Sequence, residues 1–249
     1  MKRARILYYQ AMYFASWFVF GAVGLALNVV CIPLLPFTRL RWAERMARSL
    51  IQGLFGLWTR WLHATGALTV RWKGFEQPLP AGTLYLANHP TLVDATIILS
   101  KLPDAFCIFK PALMRNPCIA PAALLAGYVS GGQHVETIRS AARRLARGES
   151  LLVFPEGTRT APGTCLGRIR PGIVLIARRS RSPIRVLFVR ASAGLVTRGR
   201  PWWRPPDALP AWIELEVGPL VEHTTAVRAA RIAEIIDECL RGALVEPVR

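Results

Sequence analysis

An α/β fold, a sheet flanked by helices with a membrane-anchoring helical segment ahead of it, is what these 249 residues predict. Three observations carry that expectation. From residue 66 onward, short apolar runs alternate with stretches of helical period, the pattern of a sheet with helices on its faces. Residues 11–37 hold no charged side chain and are mostly apolar, and about 20 such residues suffice to cross a bilayer as a helix. The length suits one α/β domain plus an appendage.

The elements follow in order. Basic residues flank the apolar run on both sides (Lys2, Arg3 and Arg5, then Arg39, Arg41, Arg45 and Arg48), so charge does not choose an orientation. A full span and a single-leaflet anchor both fit. Gly24-Leu25-Ala26 resembles a cleavage site, but apolar sequence continues past it, which argues against a removed signal peptide. In residues 42–63, Met46, Leu50, Leu54, Leu57, Trp58 and Trp61 recur at roughly helical spacing with Arg45, Arg48 and Arg60 among them. That pattern reads as an interfacial amphipathic helix or as a helix packed on the following domain. Residues 1–65 are therefore expected to be the membrane anchor and 66–249 the globular domain. Residues 67–72 alternate like a strand, a turn rich in Gly and Pro follows, and a second strand over 83–87 delivers His89 to its C-terminal end. Further strands are expected at 105–109, 151–154, 184–189 and 212–217, and helices at 92–101, 136–147, 171–180 and 224–241.

Composition narrows the partners. The net charge is +17, yet 52% of the residues are hydrophobic, and mean hydropathy is +0.30. Basic and apolar together point to an anionic membrane surface and away from nucleic acid. The five cysteines are scattered without a C-x-x-C pair, which suggests neither a disulfide framework nor zinc, and the four histidines show no ligand spacing. A reducing cytosolic setting follows, with the domain on the cytoplasmic side of the inner membrane and no metal site.

Two motifs carry chemistry. In Asn88-His89-Pro90-Thr91-Leu92-Val93-Asp94, His89 is a candidate base and Asp94 a carboxylate to orient it. Five residues apart, they do not share a helix face, so they meet only if His89 lies in a loop and Asp94 in the first turn of a helix. Thr91-x-x-Asp94 is also a capping-box pattern, in which Asp94 merely satisfies a backbone donor. In Phe154-Pro155-Glu156-Gly157-Thr158-Arg159, the glycine permits close backbone approach and Arg159 offers a planar fork of donors to an anion; the bland reading is a surface turn. Beyond it, from Arg159 to Arg204, eleven arginines occur without one acidic residue. They suit anionic headgroups, an acidic carrier protein or the phosphates of a nucleotide carrier, and Arg168 and Arg170 are candidates for additional anion contacts. Trp202 and Trp203 suit a loop at headgroup level or the cap of a core edge.

Together these motifs resemble the lysophospholipid acyltransferase family, whose members include 1-acylglycerol-3-phosphate O-acyltransferases. The resemblance covers roughly residues 66–240. It rests on Gly74-Phe75-Glu76 before Leu79-Pro80, on His89 to Asp94, on Lys110 with the segment 112–117, on Gly127-Tyr128-Val129, on Glu156 to Arg159, and on Arg170-Pro171-Gly172. It implies a glycerolphosphate-acyltransferase-like fold and direct transfer of a fatty acyl group to the hydroxyl of a lysophospholipid-like acceptor. The donor would be acyl-CoA or acyl carrier protein as co-substrate, with no further cofactor. It also implies acceptor binding by Glu156, Gly157, Thr158, Arg159 and Lys110. Two positions depart from the family pattern: Gln133 stands where an arginine associated with acceptor phosphate is usual, and Val186 replaces a customary second proline.

On this reading His89 is the general base, Asp94 fixes its tautomer, and backbone amides near the helix beginning at Thr91 are candidate donors to the oxyanion. No G-x-S-x-G elbow supplies a serine nucleophile. A hydrolase with the same pair and a non-enzymatic basic membrane-binding protein are the rivals; the latter leaves both motifs unexplained.

Overall fold

The computed structural model describes residues 2–131, 135–164, 166–222 and Glu234. Its centre is a sheet whose described strands number seven, in the order β1-β7-β6-β2-β5-β3-β4. These are β1 (Leu68–Lys73), β2 (Leu84–Ala87), β3 (Ala105–Phe109), β4 (Val129–Ser130), β5 (Ser150–Val153), β6 (Ile184–Ala191) and β7 (Ala211–Val221). All neighbours run parallel except β6 and β7. Parallel neighbours require crossovers, and the chain provides α3 (Asp94–Leu99), α4 (Ala120–Leu125), α5 (Val135–Ala146) and α6 (Pro171–Ser180).

Side-chain alternation splits the core into two layers. Tyr85, Ala87, Leu152, Leu187 and Val189 face a cluster with α3 and the N-terminal helices, while Leu84, Leu86, Leu151, Val153, Val186 and Phe188 face α5 and α6. Burial on both faces explains why β2 and β5 read as continuous apolar runs.

The N-terminal part forms α1 (Lys2–Cys31), a 3-10 turn (Ile32–Phe37) and α2 (Arg41–Ala64). Residues 3–37 are long and apolar enough to cross a membrane, and little of that stretch is buried. Phe18, Val29, Val30 and Ile32 stand exposed, whereas Tyr13 on another side of α1 joins the core beside Trp58 and Leu62 of α2. The Tyr13 hydroxyl donates to the Trp202 carbonyl at 2.5 Å, and the Trp58 indole donates to the Ser16 carbonyl at 3.2 Å.

Of the two readings of residues 42–63, packing on the domain holds for the inner side of α2. Its outer side exposes Trp42, Leu50 and Leu57, and its inner side packs on the domain. Arg48 points inward and is almost wholly buried, bonding the Ala126 carbonyl (2.8 Å), Asp104 (2.9 Å) and Glu149 (2.7 Å). A buried guanidinium needs such a full set of partners, because an unpaired one would carry a large desolvation cost. The expected strands all form, with ends shifted by a few residues. The two-residue β4, the helix α4 and the short turns at Ile32–Phe37 and Pro111–Arg115 were too brief to leave a periodic signal. The helix expected at 224–241 and the departure at Gln133 lie outside the described residues.

Candidate active site

β2 ends at the carboxyl edge of the sheet, and Asn88 carries its ladder one step further. The Asn88 amide donates to the Val189 carbonyl and its oxygen accepts the Val189 N–H, both at 2.8 Å. Pro90 lacks an N–H and biases His89 away from helical backbone, so the chain turns before α3 begins at Asp94. This loop-then-helix geometry brings two groups five residues apart into contact. His89 Nδ1 lies 2.9 Å from Asp94 Oδ2, with the imidazole side chain 17% exposed and the carboxylate 0% exposed.

The capping pattern and the His–Asp pair are one structure. Asp94 Oδ2 also accepts the Thr91 N–H at 2.8 Å, and the Thr91 hydroxyl donates to Oδ1. A carboxylate held at both oxygens has one orientation available, and it aims Oδ2 at the imidazole. With the proton on Nδ1 facing this acceptor, Nε2 keeps its lone pair. The Phe154 ring stacks on the imidazole, with centroids 4.0 Å apart and planes at 17°, and fixes its tilt.

The second motif joins the first through Thr160. The Thr160 N–H donates to the His89 carbonyl (2.7 Å), and the Thr160 hydroxyl accepts the His89 N–H (3.2 Å) while donating to Glu156 Oε1 (2.5 Å). The other Glu156 oxygen takes the Gly167 N–H at 2.9 Å. Glu156, expected among the acceptor-binding groups, is therefore turned inward and buried, where it holds the loop. Gly157 adopts a φ of +64°, and a Cβ there would sit 2.4 Å from Arg170 Nε. Arg170 packs over it and donates from Nε to the Glu156 carbonyl at 3.1 Å.

Arg159 donates through Nη1 to the carbonyls of Val196 (2.9 Å) and Thr197 (3.0 Å). Val196 holds a positive φ of 45°, uncommon for a β-branched residue, and its carbonyl also accepts the Leu92 N–H at 3.2 Å. Thr158 and Arg159 are partly exposed; Gly157, Lys110, Arg168 and Arg170 are exposed. Lys110 follows the C-terminal end of β3, on the same sheet edge as His89.

The amides expected as oxyanion donors are narrowed: Thr91 N is spent on Asp94, Leu92 N on Val196 and Val93 N on the Thr91 hydroxyl, which leaves the first amides of α3 itself as the candidates. Thr160, the stacking of Phe154 and the Val196 turn escaped sequence reasoning. Thr160 directly follows the second motif, which could have flagged it; Val196 gives no local signal. Cys107 is no rival nucleophile: burial pushes its thiol up to about 12, so the reactive thiolate is suppressed at neutral pH. Among the described residues, no three His, Cys, Asp or Glu side chains are grouped to hold a metal ion.

A family model described as Acyltransferase matches residues 72–189. A 1-acyl-sn-glycerol-3-phosphate acyltransferase of Cocos nucifera is 26% identical over 164 residues, which cover 63% of this chain and 51% of that protein. The chain thus spans about half the length of this curated relative. The crystal structure of the 1-acyl-sn-glycerophosphate (LPA) acyltransferase, PlsC, from Thermotoga maritima superposes with a TM-score of 0.74, covering 100% of this chain and 99% of that one at 18% identity. At that identity the likeness is one of fold.

Proposed function

We propose that the protein moves a fatty acyl group from acyl-CoA or acyl carrier protein to the hydroxyl of a lysophospholipid-like acceptor, 1-acylglycerol-3-phosphate or a related lipid, a reading supported by the match of residues 72–189 to the Acyltransferase family model. The observation that carries this reading is the buried Asp94 held by Thr91 and bonded to His89 Nδ1, which leaves Nε2 as a base at the carboxyl edge of the sheet. Nε2 takes the proton of the acceptor hydroxyl as its oxygen attacks the thioester carbonyl. Asp94 then faces the imidazolium and stabilises it. Collapse of the tetrahedral intermediate expels the thiolate, which recovers the proton from Nε2. The sequence of steps needs no acyl-enzyme, metal or cofactor.

Arg159 and Lys110 are proposed to meet the acceptor's anionic group, with Gly157 and Thr158 shaping the approach and Arg168 and Arg170 adding positive charge. Glu156 contributes by holding that loop. The exposed apolar side of α1 supports membrane association, proposed as the cytoplasmic face of the inner membrane. Residues 1–65 would then be both anchor and part of the core.

The test is a thioester assay on purified protein with and without lysolipid. Release of thiol that depends on the acceptor, with acyl-lipid formed in equal amount, is the expected result. Thiol release without acceptor would mean a hydrolase, and none in either case would leave a binding protein.

A further inference from the structure

Trp202 and Trp203 stand on a loop that proton transfer at His89 does not use. Two successive β-turns build it: the Arg200 N–H donates to the Thr197 carbonyl at 3.1 Å, and the Arg204 N–H to the Pro201 carbonyl at 3.2 Å. The tryptophans are the two central residues of the second turn and so form its tip. Trp202 is 47% exposed and Trp203 61%. A bidentate clasp shuts the base of the loop: Arg200 Nη1 and Nη2 each donate to Asp207 at 2.8 Å, and Nη2 also reaches the Pro205 carbonyl. Arg200 is thereby committed to the loop itself, while Arg198 and Arg204 flank the tryptophans and are exposed.

Capping a core edge accounts for Trp202 but not for Trp203. The Trp202 ring meets Trp17 of α1, with centroids 5.9 Å apart, and the Trp202 carbonyl accepts the Tyr13 hydroxyl. The Trp203 ring meets Trp202 edge-on, with centroids 5.9 Å apart, and most of its surface remains in solvent. Two exposed indoles between two exposed guanidinium groups suit a membrane interface, where the rings enter the acyl boundary while indole N–H groups and arginines bond headgroup phosphates.

Continuity with α1 selects the occupant. α1 lies lengthwise on the domain. It is tied at Tyr13 to Trp202 and, roughly 22 Å further at 1.5 Å per residue, at Asn28, whose side-chain oxygen accepts the Ala122 N–H at 2.7 Å. A helix held along its length meets a bilayer with its outer side, in the plane of the surface. Phe14 and Phe18, next in sequence to Tyr13 and Trp17, are exposed there, so the tryptophan turn borders the same apolar surface. The loop also leads to the site. The Thr197 carbonyl that opens the first turn accepts Arg159 Nη1 at 3.0 Å, and the Val196 carbonyl beside it accepts the same nitrogen at 2.9 Å. The height of the turn in the lipid therefore sets the height of Arg159.

We propose that Trp202 and Trp203 insert into the headgroup layer of a phospholipid leaflet as a second contact beside α1, and that this contact seats Arg159 at the bilayer surface. The lysolipid acceptor then enters from the leaflet with its chain still in lipid. The proposal rests on the membrane-association and acyl-transfer readings and specifies the route of the acceptor.

The experiment uses the full-length protein in phosphatidylethanolamine and phosphatidylglycerol vesicles, with and without phosphatidylcholine brominated near the headgroup end of its acyl chains. The difference in emission between wild type and Trp203→Phe isolates Trp203, and the bromolipid is expected to quench most of it. Kinetics use two acceptors of one headgroup, a long-chain lysolipid carried in the vesicles and a short-chain analogue monomeric in water. Trp203→Glu should raise KM for the vesicle-borne acceptor on the order of tenfold, with kcat/KM for the monomeric one unchanged and Trp203→Phe close to wild type. Thermal stability of Trp203→Glu should match the wild type, since the ring is outside the core. Vesicle-bound protein whose Trp203 emission escapes quenching, equal loss toward both acceptors, or no change with either would overturn the proposal. If neither acceptor is acylated while Trp203 is quenched, acyl transfer fails and the membrane contact stands; protein that does not float with the vesicles overturns the contact together with the anchor.

Discussion

His89 and Thr160 are joined by a two-way tie: the Thr160 N–H donates to the His89 carbonyl at 2.7 Å, and the Thr160 hydroxyl accepts the His89 N–H at 3.2 Å. The base and the Gly157–Arg159 loop are thereby held to each other, although 71 positions separate them. The same hydroxyl donates to Glu156, so one side chain sets the spacing between His89 and the Glu156–Arg159 loop.

Thr160→Val keeps the shape and removes the hydroxyl. It leaves a buried carboxylate oxygen of Glu156 and the His89 N–H without their partner, a cost of about 1–3 kcal/mol. In a protein of this size that lowers Tm by about 2–4 °C per kcal/mol. Turnover should fall together with thermal stability, and Thr160→Ser should restore both. Differential scanning calorimetry alongside kcat for the three proteins checks this; unchanged turnover in Thr160→Val would show that the tie does not position the base.

His89→Ala and Asp94→Asn test the chemistry itself. Loss of a general base costs about 100-fold to 10,000-fold in rate. The His89 ring is 17% exposed, stacks on Phe154 and bonds the buried Asp94, so its removal should also lower Tm while the fold and membrane binding persist. Asp94→Asn is expected to approach the same loss, since the amide brings no charge to face an imidazolium and keeps only one oxygen able to accept a hydrogen bond. Near-normal kcat in His89→Ala would exclude the mechanism.

How far the sequence revealed this site depends on the range of each interaction. His89, Asp94 and the alternation of elements were legible because strand period, the Pro90 break and the motif spacing are local properties. The two rival readings of Asp94 were not separable in sequence, since one carboxylate serves both Thr91 and His89. Glu156 and Arg159 were legible as a motif but not in direction: their partners Gly167, Val196 and Thr197 are set by tertiary packing. The inward face of α2 was hidden for the same reason, because a buried Arg48 looks like a surface cation until Glu149 and Asp104 are brought to it.

Membrane association should respond to point changes on the outer side of α1. Phe18→Glu with Val29→Glu places charge on its exposed apolar surface and leaves Tyr13 and Trp58 in the core. The variant should remain folded and move from the membrane pellet to the supernatant at moderate salt, because a charge in the hydrocarbon region costs about 2.5–3.5 kcal/mol. Deletion of residues 1–65 is a poorer test, since it also strips Tyr13, Trp58 and Leu62 from the core. A double variant that sediments with membranes as fully as the wild type would contradict the anchor.

Acceptor choice is proposed to turn on Arg159 and Gln133. Arg159 spends Nη1 on the Val196 and Thr197 carbonyls, so its guanidinium is braced before an anion arrives. Gln133, which lies outside the described residues, stands where the family resemblance places an arginine. A second guanidinium would add charge-assisted bonds to a phosphate monoester, and a neutral amide does not replace them. Lysophosphatidate is therefore expected to be used poorly beside a lysolipid of lower headgroup charge, and Gln133→Arg should lower its KM with little change in kcat. Arg159→Ala should weaken every anionic acceptor and also lower Tm, because the Val196 and Thr197 carbonyls lose a donor; Arg159→Lys should recover part of the stability but not the bidentate contact. Steady-state kinetics across a panel of lysolipids decides the point. A low wild-type KM for lysophosphatidate, unchanged by Gln133→Arg, would assign the missing charge to Arg168 or Arg170, both exposed beside the same loop.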